Sequence, residues 1–259
     1  MSQRIPERGH QVLIQLSDLH YQGNDELFSG RSMSGTFADI RRYCDRSEYA
    51  PDAIVVTGDL IHRDGAGNYA DVNRELQELG QHYQIPVVVT FGNHDRVAEA
   101  GEYFPLCQSL NLQDYRLIVF DNSAPEITAD QVNWLSEQLL EPYRSGTLLA
   151  FHHSPVPSPV PGLGGRGMEQ TAVLEQILRG SDVVQLLTGH YHHAQSSSFA
   201  GIPCWTSPAL ANHQMMDAPL GQVGAVKLSG FSVVELYPTA PVITPVWLNP
   251  FDQVFLKNI

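Results

Sequence analysis

Short apolar runs alternate along the first part of this chain with stretches whose apolar positions recur at helical spacing. Val12-Leu13-Ile14-Gln15-Leu16 reads as a strand that ends at Ser17-Asp18. Residues 36–44 follow, with Phe37, Ile40 and Cys44 on one helical face. Ala53–Thr57 is a second strand, rich in β-branched residues, and residues 68–83 form a second helix with Val72, Leu76 and Leu79 on its stripe. Pro86 opens a third strand over 87–91, and 117–120, 147–151 and 184–188 add three more. Thr128-Ala129-Asp130-Gln131 has the form of a capping box, ahead of a helix that buries Trp134, Leu135 and Leu139. A further helix covers about 169–178. Near-continuous apolar strands separated by helices predict a sheet covered on both faces.

From Ser196 the pattern changes. Strand-like runs at 223–228, 231–236 and 242–247, broken by Gly and Pro, predict antiparallel strands that complete a second sheet in a β-rich part spanning about 196–259. The apolar end, Val246-Trp247-Leu248 with residues 251–256, packs on the chain's own core in preference to a second subunit. Residues 154–167 (SPVPSPVPGLGGRG) stand apart. They form either a surface excursion or a wall over a site, since binding residues favour loops held by a rigid scaffold. The periodicity alone reaches a layered α/β architecture with a β-rich last third.

Composition narrows the partners. With 28 acidic against 15 basic side chains the net charge is −13, and Lys227 and Lys257 are the only lysines. Such a chain repels a phosphate backbone, so nucleic acid is excluded as the expected substrate. Hydrophobic residues at 42% supply a sizeable core. Cys44, Cys107 and Cys204 are odd in number and widely spaced, which fits reduced core cysteines and neither a zinc pair nor a disulfide framework. The first ten residues lack the apolar core of a signal peptide, and no uncharged apolar stretch is long enough to span a bilayer. The expectation is a cytoplasmic protein without membrane insertion.

Five histidine- and carboxylate-bearing motifs each follow an apolar run: Asp18-Leu19-His20, Gly58-Asp59, Gly92-Asn93-His94-Asp95, His152-His153, and Gly189-His190-Tyr191-His192. Six of the 11 histidines lie in them. Each motif falls at the C-terminal end of a predicted strand, where open α/β sheets gather their ligands. Carboxylate, amide and imidazole donors without cysteine suit hard-to-borderline cations and exclude a thiolate zinc site. A single such motif is an ordinary turn or core feature; all five at strand ends predict a common metal centre.

In order and spacing the motifs resemble the calcineurin-like metallophosphoesterases, in particular the branch of class III cyclic-nucleotide phosphodiesterases, over roughly residues 11–210. The resemblance implies a four-layer αββα sandwich of two mixed sheets flanked by helices, as one domain over 1–259. It implies two metal ions, with Asp18, His20 and His192 on one, Asn93, His152 and His190 on the other, and Asp59 between them. Iron, manganese, zinc and cobalt all suit these donors. His94 is then the catalytic histidine that contacts the phosphate or protonates the leaving oxygen. The implied reaction is hydrolysis of a small phosphate diester, of cyclic-nucleotide or glycerophosphodiester type, by metal-activated water. A phosphomonoesterase or nucleotidase, a hydrolase of a lipid-linked diphosphate, and a catalytically silent metal-binding module are the alternatives. The partner is a small molecule, and the chain acts as a monomer or homodimer.

Two departures from the family pattern stand out. The family's His-His-Pro-Pro becomes His152-His153-Ser154-Pro155, with His152 as the expected ligand. Many relatives carry an acid three residues after the bridging Asp; here the residue is His62, which lacks an aspartate's fixed charge, leaving Asp64 or Asp95 to orient His94. His193 is expected behind the ligands or on the surface. His10, His82 and His213 are expected in solvent or core, with substrate contact open for His213.

Overall fold

The Gln11–Leu16 strand is buried along nearly its whole length, and its side chains alternate between two packing layers. Leu13 faces Ala53, Val55, Leu117, Val119, Leu148, Ala150 and Leu187 between the sheets. Val12, Ile14 and Leu16 point the other way, onto Phe37 and Ile40 of the Met33–Arg46 helix and Val72, Leu76 and Leu79 of the Tyr69–Tyr83 helix. This period-two division is what a strand covered on both faces requires. The computed structural model describes residues 9–46, 50–160 and 162–248.

The first sheet runs in the order Pro241–Trp247, Gly230–Leu236, Gln11–Leu16, Ala53–Thr57, Val87–Thr90. Its last three strands are parallel, and Gly230–Leu236 pairs antiparallel with both neighbours. The second sheet runs Gln195–Phe199, Ile202–Thr206, Val183–Thr188, Thr147–Ala150, Arg116–Val119, Gln108–Asn111. Its four inner strands are parallel and its two edges antiparallel. Leu135 of the Ala129–Gln138 helix and Leu174 and Leu178 of the Thr171–Leu178 helix cover its outer face, against Ile118, Leu149 and Leu186. The result is the four-layer αββα sandwich. Asn68 caps the Tyr69–Tyr83 helix by accepting from Asp71 N at 2.9 Å, and Thr128 and Gln131 form the capping box that starts the Ala129–Gln138 helix.

The C-terminal strands correct the sequence reading. Gly230–Leu236 and Pro241–Trp247 extend the first sheet, because Gly230–Leu236 covers the otherwise free edge of Gln11–Leu16. Of 223–228, Ala225–Val226 alone pairs, with His213–Gln214, in a separate ribbon. The second sheet is completed instead by Gln195–Phe199, whose polar Gln-Ser-Ser-Ser start hid an edge strand. Val246 and Leu248 pack on the first-sheet core, while residues 251–256 lie outside the described residues. No helix among the described residues is long and apolar enough to cross a membrane.

At the C-terminal strand ends polar side chains tie the two sheets together. Gln15 Nε2 donates to Thr57 Oγ1 at 3.2 Å and to Thr188 O at 3.0 Å, and Thr90 Oγ1 donates to Phe120 O at 2.9 Å. These ties fix the relative position of loops that belong to different sheets. Leu13→Ala, opening space between the sheets, is expected to cost about 2–5 kcal/mol in urea unfolding. A loss below about 1 kcal/mol would mean that the layer collapses around the gap.

Candidate metal centre

The loops that follow Gln11–Leu16, Ala53–Thr57, Val87–Thr90, Thr147–Ala150 and Val183–Thr188 converge at one end of the sandwich. Turning so sharply after a strand forces unusual backbone. Asp18 (φ 52°), His20 (46°), Asp59 (52°), His190 (75°) and His192 (54°) all occupy the left-handed region. Each such residue costs of order 1–3 kcal/mol, held in place by its surroundings. Cross-loop hydrogen bonds provide the hold: Asp18 N donates to Gly58 O at 3.0 Å, His20 N to Asp59 O at 2.9 Å, and Gly189 N to His152 O at 3.1 Å. Gly92 and Gly189 are required sterically, since a Cβ would strike Asp59 Oδ1 at the first and Ser17 Oγ at the second.

All seven metal-ligand candidates come together. Asp59 Oδ2 lies 3.3 Å from His20 Nε2 on one side and 3.5 Å from His152 Nε2 on the other. Around the first position, His192 Nε2 is 2.9 Å from His20 Nε2 and 3.3 Å from Asp18 Oδ1. Around the second, Asn93 Oδ1 is 3.2 Å from His152 Nε2, and the His190 ring stands 5.1 Å from that of His152. The donor atoms of Asp18, His20, Asp59 and His192 fall within 4.8 Å of one another, as do those of His152, His153 and His190.

The far nitrogen of three of these imidazoles is already engaged, which fixes the tautomer. His152 Nδ1 donates to Thr57 O at 2.8 Å, His192 Nδ1 to Asn212 Oδ1 at 3.0 Å, and His190 Nε2 to Arg166 O at 2.7 Å. Each near nitrogen therefore presents a lone pair whenever the ring is neutral. His190 Nδ1 is buried with no hydrogen-bond partner. Lone pairs facing carboxylate and amide oxygens repel unless a proton or a cation lies between them, so the donor set fits metal ions.

Charge supports the same conclusion. Burial works against both carboxylates, yet His192 beside Asp18 holds it down to about 2, and His152 and His20 hold Asp59 well below the ordinary carboxylate range. Burial also works against a charged His152, but the Asp59 carboxylate raises it to about 9. Burial pushes His20 down to about 3 and, with His152 and His153 nearby, His190 far below its ordinary value. Without cations, protons on His152 partly neutralise two buried carboxylates.

His153 has one ring nitrogen engaged by a neighbouring loop. Its Nδ1 donates to Asn122 O at 2.6 Å, and Asn122 Oδ1 accepts from His152 N and His153 N at 2.8 and 3.0 Å. Asn122 thus shapes the His152-His153 turn, and Asn212 sets the His192 ring; neither residue belongs to a motif. Among the outlying histidines, His213 packs on Trp247 while its neighbours Asn212 and Gln214 line the cavity. The described residues of the proline- and glycine-rich segment, 154–160 and 162–167, form a wall. Tyr191 clusters with Val160 and Leu163, His193 Nε2 meets Ser158 Oγ at 2.8 Å, and Leu163 and Arg166 reach the cavity.

His94 stands at the mouth. Its backbone N–H donates to Asp59 Oδ1 at 2.7 Å, and its ring meets His20 edge-on at 4.6 Å. Neither Asp64 nor Asp95 is seen to orient it. The Asp95 carboxyl accepts from Gly92 N at 2.9 Å and from Leu60 N and Ile61 N at 3.1 and 3.3 Å, joining two loops. Burial and then the Asp59 charge push Asp95 up to about 7. His94 Nδ1 instead accepts from Arg63 N at 3.3 Å, and the ring stacks on His62 at 5.0 Å. The backbone at Arg63 therefore takes over the orienting task, and it leaves the His94 proton on Nε2.

A two-sheet sandwich with histidines and carboxylates gathered at its strand tips defines the metallophosphoesterase class. The calcineurin-like phosphoesterase model matches residues 12–194, and the chain belongs to that family. Over 258 residues it is 31% identical to a cAMP/cGMP dual specificity phosphodiesterase of Mycobacterium tuberculosis, covering 94% of this chain and 81% of the relative. It is 27% identical to the glycerophosphodiester phosphodiesterase GpdQ of Enterobacter lignolyticus, covering 79% of this chain and 78% of the relative. Among solved structures, a dimetal phosphatase from Danio rerio shares the fold with a TM-score of 0.57 at 14% identity, covering 90% of this chain and 98% of that one.

Cation uptake by the metal-free protein is expected to release protons at pH 7. His152, raised from 6.5 to about 9, holds its proton below that range and yields it to a cation, so metal affinity should climb as pH rises toward 9. Calorimetric titration in buffers of different ionisation enthalpy counts the protons; none released at pH 7 would contradict the assignment.

Proposed function

We propose that this chain hydrolyses small phosphate diesters at a pair of cations. Asp18, His20 and His192 hold one, Asn93, His152 and His190 hold the other, and Asp59 lies between them. The observation that carries this reading is the single oxygen, Asp59 Oδ2, faced by His20 Nε2 at 3.3 Å and by His152 Nε2 at 3.5 Å. The names of the relatives from Mycobacterium tuberculosis and Enterobacter lignolyticus support diesters over other phosphate esters. When bound, two adjacent cations supply Lewis-acid charge and an activated water for in-line displacement at phosphorus. Manganese, iron, zinc and cobalt all accept this mixture of oxygen and nitrogen donors.

The protein's own part is orientation and charge. Thr57, Arg166 and Asn212 keep three imidazoles turned inward through their far nitrogens. The cavity beyond them, about 400 Å³, admits a small molecule and is too confined for a folded partner. The acidic surface disfavours nucleic acid. Free Cys44, Cys107 and Cys204 suit a reducing compartment. His94 Nε2–H serves as a hydrogen-bond donor to a phosphate oxygen. Protonating its Nδ1 would set two donors, that N–H and Arg63 N–H, against each other, which disfavours the imidazolium needed for proton transfer.

Metal analysis joined to a substrate panel tests the whole reading. Two cations per chain and faster turnover of diesters than of matched monoesters are expected; a monoester preference sinks the diester assignment. His94→Ala should retain its cations and lose about 10²–10³ in kcat, by a similar factor for good and poor leaving groups. A loss that grows with the leaving group's pKa would assign His94 to proton transfer instead.

A further inference from the structure

Three of the imidazoles proposed for the cations rest their far nitrogen on an oxygen: Thr57 O behind His152, Arg166 O behind His190 and Asn212 Oδ1 behind His192. The fourth rests on another imidazole. His20 Nε2 faces Asp59 Oδ2 at 3.3 Å and His192 Nε2 at 2.9 Å, and its Nδ1 meets His62 Nδ1 at 3.3 Å. The backbone brings the two rings together. Tyr21 N donates to Leu60 O at 3.1 Å and His62 N to Tyr21 O at 2.9 Å, so the chain after His20 runs beside the chain after Asp59.

The His62 ring is held by stacking as well. Phe28 lies on it at 4.4 Å and 29°, and His94 at 5.0 Å and 29°. Phe28 N in turn donates to His20 O at 3.1 Å, which ties the stack to the same turn. The contact between the two Nδ1 atoms takes one proton. A neutral imidazole carries its N–H on one nitrogen and a lone pair on the other. If His20 Nε2 gives its lone pair to a cation, the proton of that ring is on Nδ1, so His20 donates and His62 Nδ1 accepts. The proton of His62 then lies on Nε2. Many relatives carry an acid at this position. A carboxylate behind a ligating imidazole raises its basicity, and such outer partners are worth about 10–100-fold in metal affinity. An imidazole acceptor fixes the tautomer and the aim of His20 but adds no charge.

We propose that His62 is a positioning residue for the cation assigned to Asp18, His20 and His192: it accepts from His20 Nδ1 and so keeps His20 Nε2 aimed at that cation. As a neutral acceptor it holds the cation less tightly than a carboxylate in its place would. This rests on the paired-cation reading above and adds the residue that orients one of its ligands. His62 touches neither the cation nor the phosphate.

The test titrates Mn²⁺ by calorimetry, at one pH, into the metal-free wild type and the variants His62→Phe, His62→Asn and His62→Asp, with circular dichroism checking that each is folded. His62→Phe keeps a ring for Phe28 and His94 to stack on and removes the acceptor. His62→Asn removes the ring and keeps an acceptor oxygen at the same branch of the side chain. His62→Phe should weaken one Mn²⁺ binding step about 10–100-fold and leave the other within about threefold; His62→Asn should stay within about threefold of wild type, and His62→Asp should tighten the affected step about tenfold. Unchanged binding by His62→Phe, or an equal loss in His62→Phe and His62→Asn, would reduce His62 to packing and overturn the proposal. Weaker binding by His62→Asp would mean that His62 donates to His20, and would overturn it as well. Uptake of a single cation by the wild type would sink the paired-cation reading. His62→Phe still decides the positioning role in that case: a loosened cation sustains it, and an unchanged one removes it.

Discussion

Two buried carboxylates, Asp18 and Asp59, face each other's surroundings at the tips of the strands, and the protein has to supply positive charge between them. Removing an ionised carboxylate from water is costly unless it is paired. Among the described residues no lysine or arginine pairs with either one. The available partners are imidazoles, oriented so that each can face a cation, and the proton held on His152 can be exchanged for one. The strained loops, the buried asparagines and the carbonyls behind the rings all follow from keeping that exchange possible in one fixed place.

The fold meets this demand by dividing labour. Apolar layers above and below each sheet carry the stability, so that several left-handed residues can be tolerated at the rim. Gln15, Thr57 and Thr188 link the sheets just beneath the centre, and loops from different sheets therefore keep a common frame. Asp95 acts in the same way within the first sheet, clamping the Asp59 and Asn93 loops through their amides. It was a candidate to orient His94, and its actual task is architectural.

Much of this was legible in the sequence, for physical reasons. Strands buried on both faces leave unbroken β-branched runs, as at Ala53–Thr57, and a ligand at a strand end leaves a short polar motif directly after the run. What escaped notice has no such local signature. Asn122 and Asn212 act across the fold on rings far away in sequence, and a lone asparagine in a loop looks like any turn residue. The orienting contact to His94 comes from a backbone N–H at Arg63, which no side-chain pattern encodes. The sheet to which the Gly230–Leu236 strand belongs depends on which edge is vacant, a property of the assembled layers. Gln195–Phe199 is an edge strand with polar outward positions, so its hydrophobic signal was weak.

The attachment of the proline- and glycine-rich wall has an evolutionary consequence. Arg166 steadies His190 through a main-chain carbonyl, which every amino acid possesses. Replacement of the side chains along that wall can therefore reshape what the cavity admits while the imidazole stays aimed.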